Sequence, residues 1–132
     1  MNKIIINVIL LLAVSCNSYS QDIFGIWKFT NQYVDIELEL KEANSKVEGL
    51  HCIVYGAQGD YVDCASENIN TISGELINGT YNLSIRSEYT VDGVVHISLK
   101  FVDGKLKWTL LSNTNPGELF FYPKEATLTK EN

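Results

Sequence analysis

Apolar and polar residues alternate along most of this chain. Between Tyr33 and Glu42 every second side chain is apolar, and the residues between them are charged. The same period of two recurs over residues 81–86, 94–101 and 105–110. This period places one face of a β-strand in a core and the other in water, whereas a helix would scatter the charges over its apolar face. The pattern therefore predicts an all-β protein.

Short Asn-Gly and Asp-Gly pairs separate several of the alternating runs. They favour the positive φ angles of tight hairpin turns, and they are Asn78-Gly79, Asp92-Gly93 and Asp103-Gly104. They connect four strands into a meander, namely Ile72–Ile77, Thr80–Tyr89, Val94–Val102 and Lys105–Ser112. The other predicted strands are Gly25–Thr30, Tyr33–Glu42, Lys46–Tyr55, Tyr61–Cys64, Glu118–Tyr122 and Ala126–Thr129. We expect a single small antiparallel barrel or curved sandwich of about 8–10 strands.

The first 20 residues have the pattern of an export signal. An apolar run of 11 residues, Ile4 to Val14, follows Lys3, and this is the length of a signal-peptide core rather than of a membrane span. Cleavage after Ser20 would release one β domain of residues 21–132. Alternatively, the residues before Cys16 resemble a bacterial lipobox, which makes Cys16 a lipidation candidate. Both routes predict an extracytoplasmic protein that is periplasmic, an outer-membrane lipoprotein or secreted.

Both routes take Cys16 out of the folding problem and leave two cysteines in the mature domain, Cys52 and Cys64. An even number of cysteines in an exported domain favours one disulfide. The alternative is a metal site made of His51, Cys52, Cys64 and His96. Its spacing lacks the paired cysteines of structural zinc sites, and the adjacent His51 and Cys52 would point to opposite faces of a strand. We therefore expect the disulfide, and no metal or other cofactor.

The charge balance of the mature chain limits its partners. Sixteen acidic residues stand against nine basic ones once Lys3 is removed with the leader, a net charge of −7. This balance disfavours nucleic acid and anionic membrane surfaces. A possible lipid anchor is then the only membrane contact that we expect.

The start of the mature chain resembles the opening of lipocalin-like proteins. Their Gly-x-Trp motif on the first strand corresponds to Gly25-Ile26-Trp27. The resemblance implies an antiparallel barrel that the indole closes at one end. Lipocalins commonly stack a late basic side chain, usually Arg, on this Trp. The one arginine here, Arg86, lies in mid-chain, which leaves Lys124 or Lys130 for that position.

A second resemblance is to small exported bacterial proteins, mostly uncharacterised, with a Cys-bearing hairpin and a late Pro-containing strand. The matching residues are Gly49, Cys52, Gly56, Asp63, Cys64, Gly117, Tyr122, Pro123, Ala126 and Leu128. This resemblance implies a fold and a compartment but no activity.

Residues with catalytic potential are sparse. The only histidines are His51 and His96, and the sequence contains no nucleophile elbow, phosphate-binding loop or zinc-protease motif. We read both histidines as solvent-facing or hydrogen-bonded. The row formed by Asp35, Glu37 and Glu39 is typical of a solvated outer strand face. We therefore expect a protein that is not an enzyme.

Aromatic residues are the more informative group. Tyr55 and Tyr61 flank a turn inside the predicted disulfide loop, and Tyr89 ends a predicted strand. Tyrosines at strand ends are typical of binding rims, although they also cap cores. Together with Trp27 they are our candidate binding residues. The run over residues 120–122 is apolar on both faces, so at least one of its rings should face a cavity or a partner.

Two functions fit these features. The first is a lipocalin-like binding protein whose barrel takes up a small hydrophobic ligand. The second is an inhibitor or immunity-type factor that binds an exported protein through the loop from Tyr55 to Tyr61, with a basic partner steered by the acidic surface.

Overall fold

The computed structural model of this protein describes residues 22–112 and 120–132, and nine β-strands lie within these ranges. They are β1 (Gly25–Thr30), β2 (Val34–Ala43), β3 (Lys46–Tyr55), β4 (Tyr61–Cys64), β5 (Ile72–Ile77), β6 (Thr80–Arg86), β7 (Val94–Val102), β8 (Lys105–Ser112) and β9 (Glu125–Lys130). In the same two ranges, no helix has the length and hydropathy that a membrane span requires.

Eight of the strands close into an antiparallel barrel. They pair in the order β1-β2-β3-β5-β6-β7-β8-β9, and β9 returns to β1 through the Trp27–Lys130 pair. The extra strand, β4, pairs with residues 52–55 of β3, while β5 pairs with residues 46–49 of the same strand. The wall beside β3 is therefore built from two short strands, with residues 65–71 between them.

The two ends of the barrel differ. We call one the hairpin end, because it carries the tight turns Asn44-Ser45, Asn78-Gly79 and Asp103-Gly104, all of which have positive φ angles. We call the other the loop end, and it carries residues 56–60, 65–71 and 87–93. The turns at residues 78–79 and 103–104 confirm the sequence prediction, since both connect paired strands.

Three sequence predictions need correction. The strand expected over Thr80–Tyr89 ends at Arg86, because the N–H of Ser87 bonds to the carbonyl of Gly93 (3.0 Å) and closes a loop. Asp92-Gly93 therefore belongs to this longer loop and is not a two-residue hairpin. The strand expected over Glu118–Tyr122 is absent from residues 120–122, where the aromatic rings pack on the loop end instead, and its first two residues lie outside the described ranges.

The core follows the period of two. Val34, Ile36, Leu38 and Leu40 of β2 are all buried, and the charged residues between them are exposed. The same alternation runs through β6 and β7. The eight strands of the closed barrel thereby contribute apolar faces to a shared interior, and burial of that interior is the main stabilising contribution to the barrel.

Trp27 closes the hairpin end of the barrel. Its ring is 1% exposed, its indole N–H donates to the carbonyl of Ile23 (3.0 Å), and its edge contacts Phe101. The ammonium group of Lys130 lies 5.7 Å from the Trp27 ring centroid. Gly25 leaves room for this arrangement, since a Cβ there would lie 2.7 Å from Lys130 Cε. Lipocalins stack a late basic side chain on this Trp, and the candidates for it here were Lys124 and Lys130. Lys130 is the one that lies over the ring.

Gly74 marks a close approach between neighbouring strands of the wall. A Cβ at this position would collide with the carbonyl oxygen of Asn82 on β6. We predict that Gly74→Ala lowers the free energy of unfolding by about 1–3 kcal/mol, the usual cost of overpacking. Urea denaturation measures the change. The exposed neighbour provides the control, since Ser73→Ala should stay within about 0.5 kcal/mol of the wild type. Equal effects of the two variants would contradict the steric explanation.

Candidate functional site

A buried carboxylate lies at the loop end of the barrel. Asp63 is only 4% exposed. Its Oδ1 lies 3.1 Å from Nε2 of His51, and its Oδ2 accepts hydrogen bonds from the hydroxyls of Ser87 (2.5 Å) and Tyr122 (2.6 Å). Because buried carboxylates are costly unless they are hydrogen-bonded, these three donors are what allow Asp63 to lie inside the protein.

His51 extends the network to Thr71. The backbone N–H of His51 donates to Thr71 Oγ1 (3.2 Å), and His51 Nδ1 lies 2.6 Å from the same oxygen. We assign the ring proton to Nε2, where it faces the Asp63 carboxylate, so that Nδ1 accepts the hydroxyl proton of Thr71. Both ring nitrogens are therefore satisfied within a side chain that is only 3% exposed.

Strand alternation explains why these side chains meet. On β3, His51 faces inward and Cys52 faces outward; on β4, Asp63 faces inward and Cys64 lies directly opposite Cys52. The Cys52–Cys64 disulfide thus joins the outer side of the strand pair. The His51–Asp63 contact joins its inner side.

Hydrogen bonding decides which side chains of this network are ionised. Burial alone would raise the pKa of Asp63, but the hydrogen bonds from His51, Ser87 and Tyr122 outweigh it and hold that pKa below its ordinary value. Burial, and in addition the charge of Asp63, raises the pKa of the Tyr122 phenol. Asp63 is therefore an ionised acceptor and Tyr122 a protonated donor at neutral pH.

A hydroxyl, an imidazole and a carboxylate follow one another here in the order that nucleophilic hydrolases use. They belong to Thr71, His51 and Asp63. Here, however, the hydroxyl oxygen already accepts the backbone N–H of His51, and the imidazole is enclosed. We therefore assign these three side chains to holding the loop end together. They connect β3, β4 and the residue that precedes β5.

Six aromatic rings cover the loop end. Phe121 stacks on Tyr55 (centroids 5.4 Å apart) and Tyr61 (6.0 Å), and it meets Tyr89 edge-on at 5.1 Å. Tyr122 and Phe120 extend this aromatic cluster towards Trp108. The structure thus brings Tyr55, Tyr61 and Tyr89 together, whereas Trp27, the fourth candidate from the sequence, lies in the core near the hairpin end.

A cleft of about 510 Å³ opens in the side of the barrel next to the Asp63 network. It occupies the gap where β4 and the residues after β6 lie side by side without pairing. The floor of the cleft is polar and buried, and it is formed by Asp63, His51, Ser87 and Thr90. Ile69 and Val91 project from its two flanking loops, 54% and 76% exposed. In the part of the chain that the structure describes, none of the buried hydrophobic core residues lines the cleft.

The remaining candidates from the sequence lie apart from the cleft. His96 is exposed on β7, where its Nδ1 lies 3.2 Å from Ser84 Oγ. The acidic row of β2 faces outward, and Glu37 pairs with Lys28 at 3.4 Å. The disulfide uses both thiols that the alternative metal site would have needed, and the described residues contain no group of three or more metal-binding side chains. Residues 1–20, including Cys16, lie outside the described ranges.

The number of cysteines predicts the disulfide, but no sequence pattern predicts the network beside it. Ser87 and Thr71 carry no motif, and Asp63 drew attention only through a family resemblance. One usable signal was the position of His51, which falls on the inward face of β3 together with Val47 and Ile53. A histidine at such a position must find buried partners.

Comparison with known proteins does not add a family. No family model matches the chain, and no curated protein or solved structure matches it either. The fold is an all-β antiparallel barrel of eight strands with one extra strand, which is consistent with a lipocalin-like architecture.

Replacing the Asp63 carboxylate tests the network. An Asn side chain has one acceptor oxygen, so Asp63→Asn leaves a buried donor unpaired and should lower the free energy of unfolding at pH 7 by about 1–3 kcal/mol. Asp63 has a lower pKa in the folded than in the unfolded chain, so the stability that it contributes is present above the unfolded value of 3.8 and is lost at lower pH. The difference between wild type and variant should therefore shrink as the pH falls from about 4 to about 2.

Urea unfolding over this pH range makes the measurement, with Asp35→Asn on the exposed face of β2 as the matched control. The control should stay within about 0.5 kcal/mol of wild type at neutral pH. A difference for Asp63→Asn that is independent of pH would rule out an ionised Asp63.

Proposed function

We propose that this protein is an extracytoplasmic, lipocalin-like binding protein that holds a small, largely apolar molecule in the cleft beside Asp63. The observation that carries the proposal is the cleft itself, whose volume of about 510 Å³ lies within the range of small-molecule sites. Aliphatic side chains flank the mouth of the cleft and satisfied polar groups form its floor, while Arg86 and Glu88 add exposed charged groups to the lining.

Ile69 and Val91 favour an apolar ligand. Both are large aliphatic residues on loops, and more than half of each side chain is exposed although they flank a concave surface. A ligand lying between them would remove this apolar area from water, at about 25 cal/mol for each Å². The polar floor would orient the ligand, because its groups are fixed by their own hydrogen bonds.

The aromatic cluster supports entry from the side of the barrel. Phe121 lies between Tyr55, Tyr61 and Tyr89 and covers the loop end. Phe121 and these three tyrosines are each partly buried. In this proposal they support the wall of the site, and the ligand contacts the two loops that flank the cleft.

Two features support an extracytoplasmic location. The disulfide Cys52–Cys64 is of the kind that persists in oxidising compartments. The first 20 residues have the pattern of a bacterial export signal, with cleavage after Ser20 or lipidation of Cys16 as the two processing routes. We therefore propose a periplasmic, outer-membrane-anchored or secreted protein.

Titration with a neutral N-phenylnaphthylamine dye tests ligand binding, because the fluorescence of this dye rises in an apolar site. We predict saturable binding of the dye. Ile69→Asp and Val91→Asp should each weaken the affinity by about tenfold or more, because each removes one aliphatic contact with the dye. Ile77→Asp is the matched control, since Ile77 is 45% exposed at the hairpin end. It should leave the affinity unchanged.

Absence of saturable binding, or equal losses in all three variants, would falsify this proposal. Thermal unfolding of each variant shows whether the barrel is intact. The substituted side chains are exposed, so we expect transitions close to that of the wild type.

A further inference from the structure

The strand that forms one side of the cleft is weakly held by packing. Of the four residues of β4, Val62 is 53% exposed, Cys64 is exposed and Tyr61 is half-buried. The fourth, Asp63, is buried but charged. Among the described strands, β4 pairs with β3 alone. No aliphatic side chain therefore anchors β4 in the core.

The disulfide is a covalent constraint on β4. It joins Cys64, the last residue of the strand, to the directly opposite Cys52 of β3. In the chain-entropy model, a crosslink that closes a loop of about a dozen residues makes local opening roughly 100-fold rarer. The backbone pairing with β3, the hydrogen bond from the Tyr89 hydroxyl to the Val62 carbonyl, the aromatic contacts of Tyr61 and the hydrogen bonds of Asp63 supply the rest.

The position of the disulfide connects it to the cleft. Cys64 itself lines the cleft, next to Asp63 on one side and Ala65 and Ser66 on the other. It is also exposed, so an external thiol can reach the bond. Any change that releases Cys64 acts directly on the wall of the proposed binding site.

We propose that the Cys52–Cys64 disulfide is a redox-controlled clamp on the cleft. In the oxidised protein β4 stays on β3, and Asp63 keeps its contacts with His51 and Ser87. Reduction allows β4 and the following loop to detach locally while the eight-stranded barrel persists, since β4 is the strand that the closed barrel does not include. The release of β4 on reduction does not depend on the proposed function. Only its expected consequence, the loss of ligand binding, rests on that function.

The redox step is ordinary thiol–disulfide exchange with a protein dithiol as reductant. A thiolate of the dithiol attacks the exposed Cys64 sulfur, the bond to Cys52 breaks, and Cys52 leaves as a thiolate that takes up a proton. The second thiol of the reductant then resolves the mixed disulfide and releases Cys64 as a thiol. The protein gains two electrons and two protons, and the reductant becomes a disulfide.

Amide hydrogen exchange tests the clamp without reference to any ligand. The full chain with Cys16→Ser is compared in its oxidised form, after reduction with dithiothreitol, and as the Cys52→Ser/Cys64→Ser variant. The reporter is the N–H of Ala65, which bonds to the carbonyl of His51 at 2.8 Å immediately after β4. The controls are the N–H groups of Leu76 and Glu131, which bond to Ser45 and Ile26 at the hairpin end.

Reduction should accelerate exchange at Ala65 by about 100-fold and leave Leu76 and Glu131 unchanged. The double variant should behave like the reduced protein, with or without dithiothreitol. Unchanged exchange at Ala65 overturns the clamp. Equal acceleration at all three positions overturns it as well, because the disulfide would then stabilise the whole barrel.

Dye titration of the same samples separates the clamp from the proposed function. If both are correct, the reduced protein binds the N-phenylnaphthylamine dye less tightly than the oxidised protein. Faster exchange at Ala65 together with an unchanged dye affinity supports the clamp and rejects the cleft as the dye site. Unchanged exchange with saturable, Val91-dependent binding supports the site and rejects the clamp.

Discussion

A carboxylate cannot remain ionised in a protein interior without close donors, and Asp63 obtains its donors from three separate parts of the chain. His51 lies on β3, Ser87 lies in the loop after β6, and Tyr122 lies in the segment before β9. Of these three parts, only β3 pairs with β4 as a strand. The loop end of the barrel therefore depends on one buried negative charge and the hydrogen bonds that satisfy it.

This dependence explains the difference between the two ends of the barrel. At the hairpin end, tight turns and the Trp27 ring close the wall, and Lys130 packs over the indole. At the loop end the ladder is interrupted between β4 and β6, and polar contacts and aromatic stacking take its place. The interruption creates the cleft. The ligand site that we propose lies here because this is where the wall has a gap.

The sequence predicted the barrel well, because half-buried strands carry a strict period of two and tight turns carry Asn-Gly or Asp-Gly pairs. Six strands, including β3 and β5, have the predicted bounds. The failures lie at the loop end. Ser87 continues the alternating pattern of the predicted strand Thr80–Tyr89, but its hydroxyl bonds to Asp63, a tertiary contact that no local pattern records. The disulfide followed from cysteine number and compartment, whereas the cleft depends on which strands fail to pair.

The most direct test of this account is amide hydrogen exchange in Asp63→Asn. If one carboxylate holds the loop end together, the N–H groups of Ala65, Ser87 and Leu110 should all exchange faster in the variant, since they report on β4, on the loop after β6 and on the segment before β9. The N–H of Glu131, bonded to the Ile26 carbonyl at the hairpin end, should keep its wild-type rate. Faster exchange at Ala65 alone would contradict the account, because Asp63 would then anchor only its own strand.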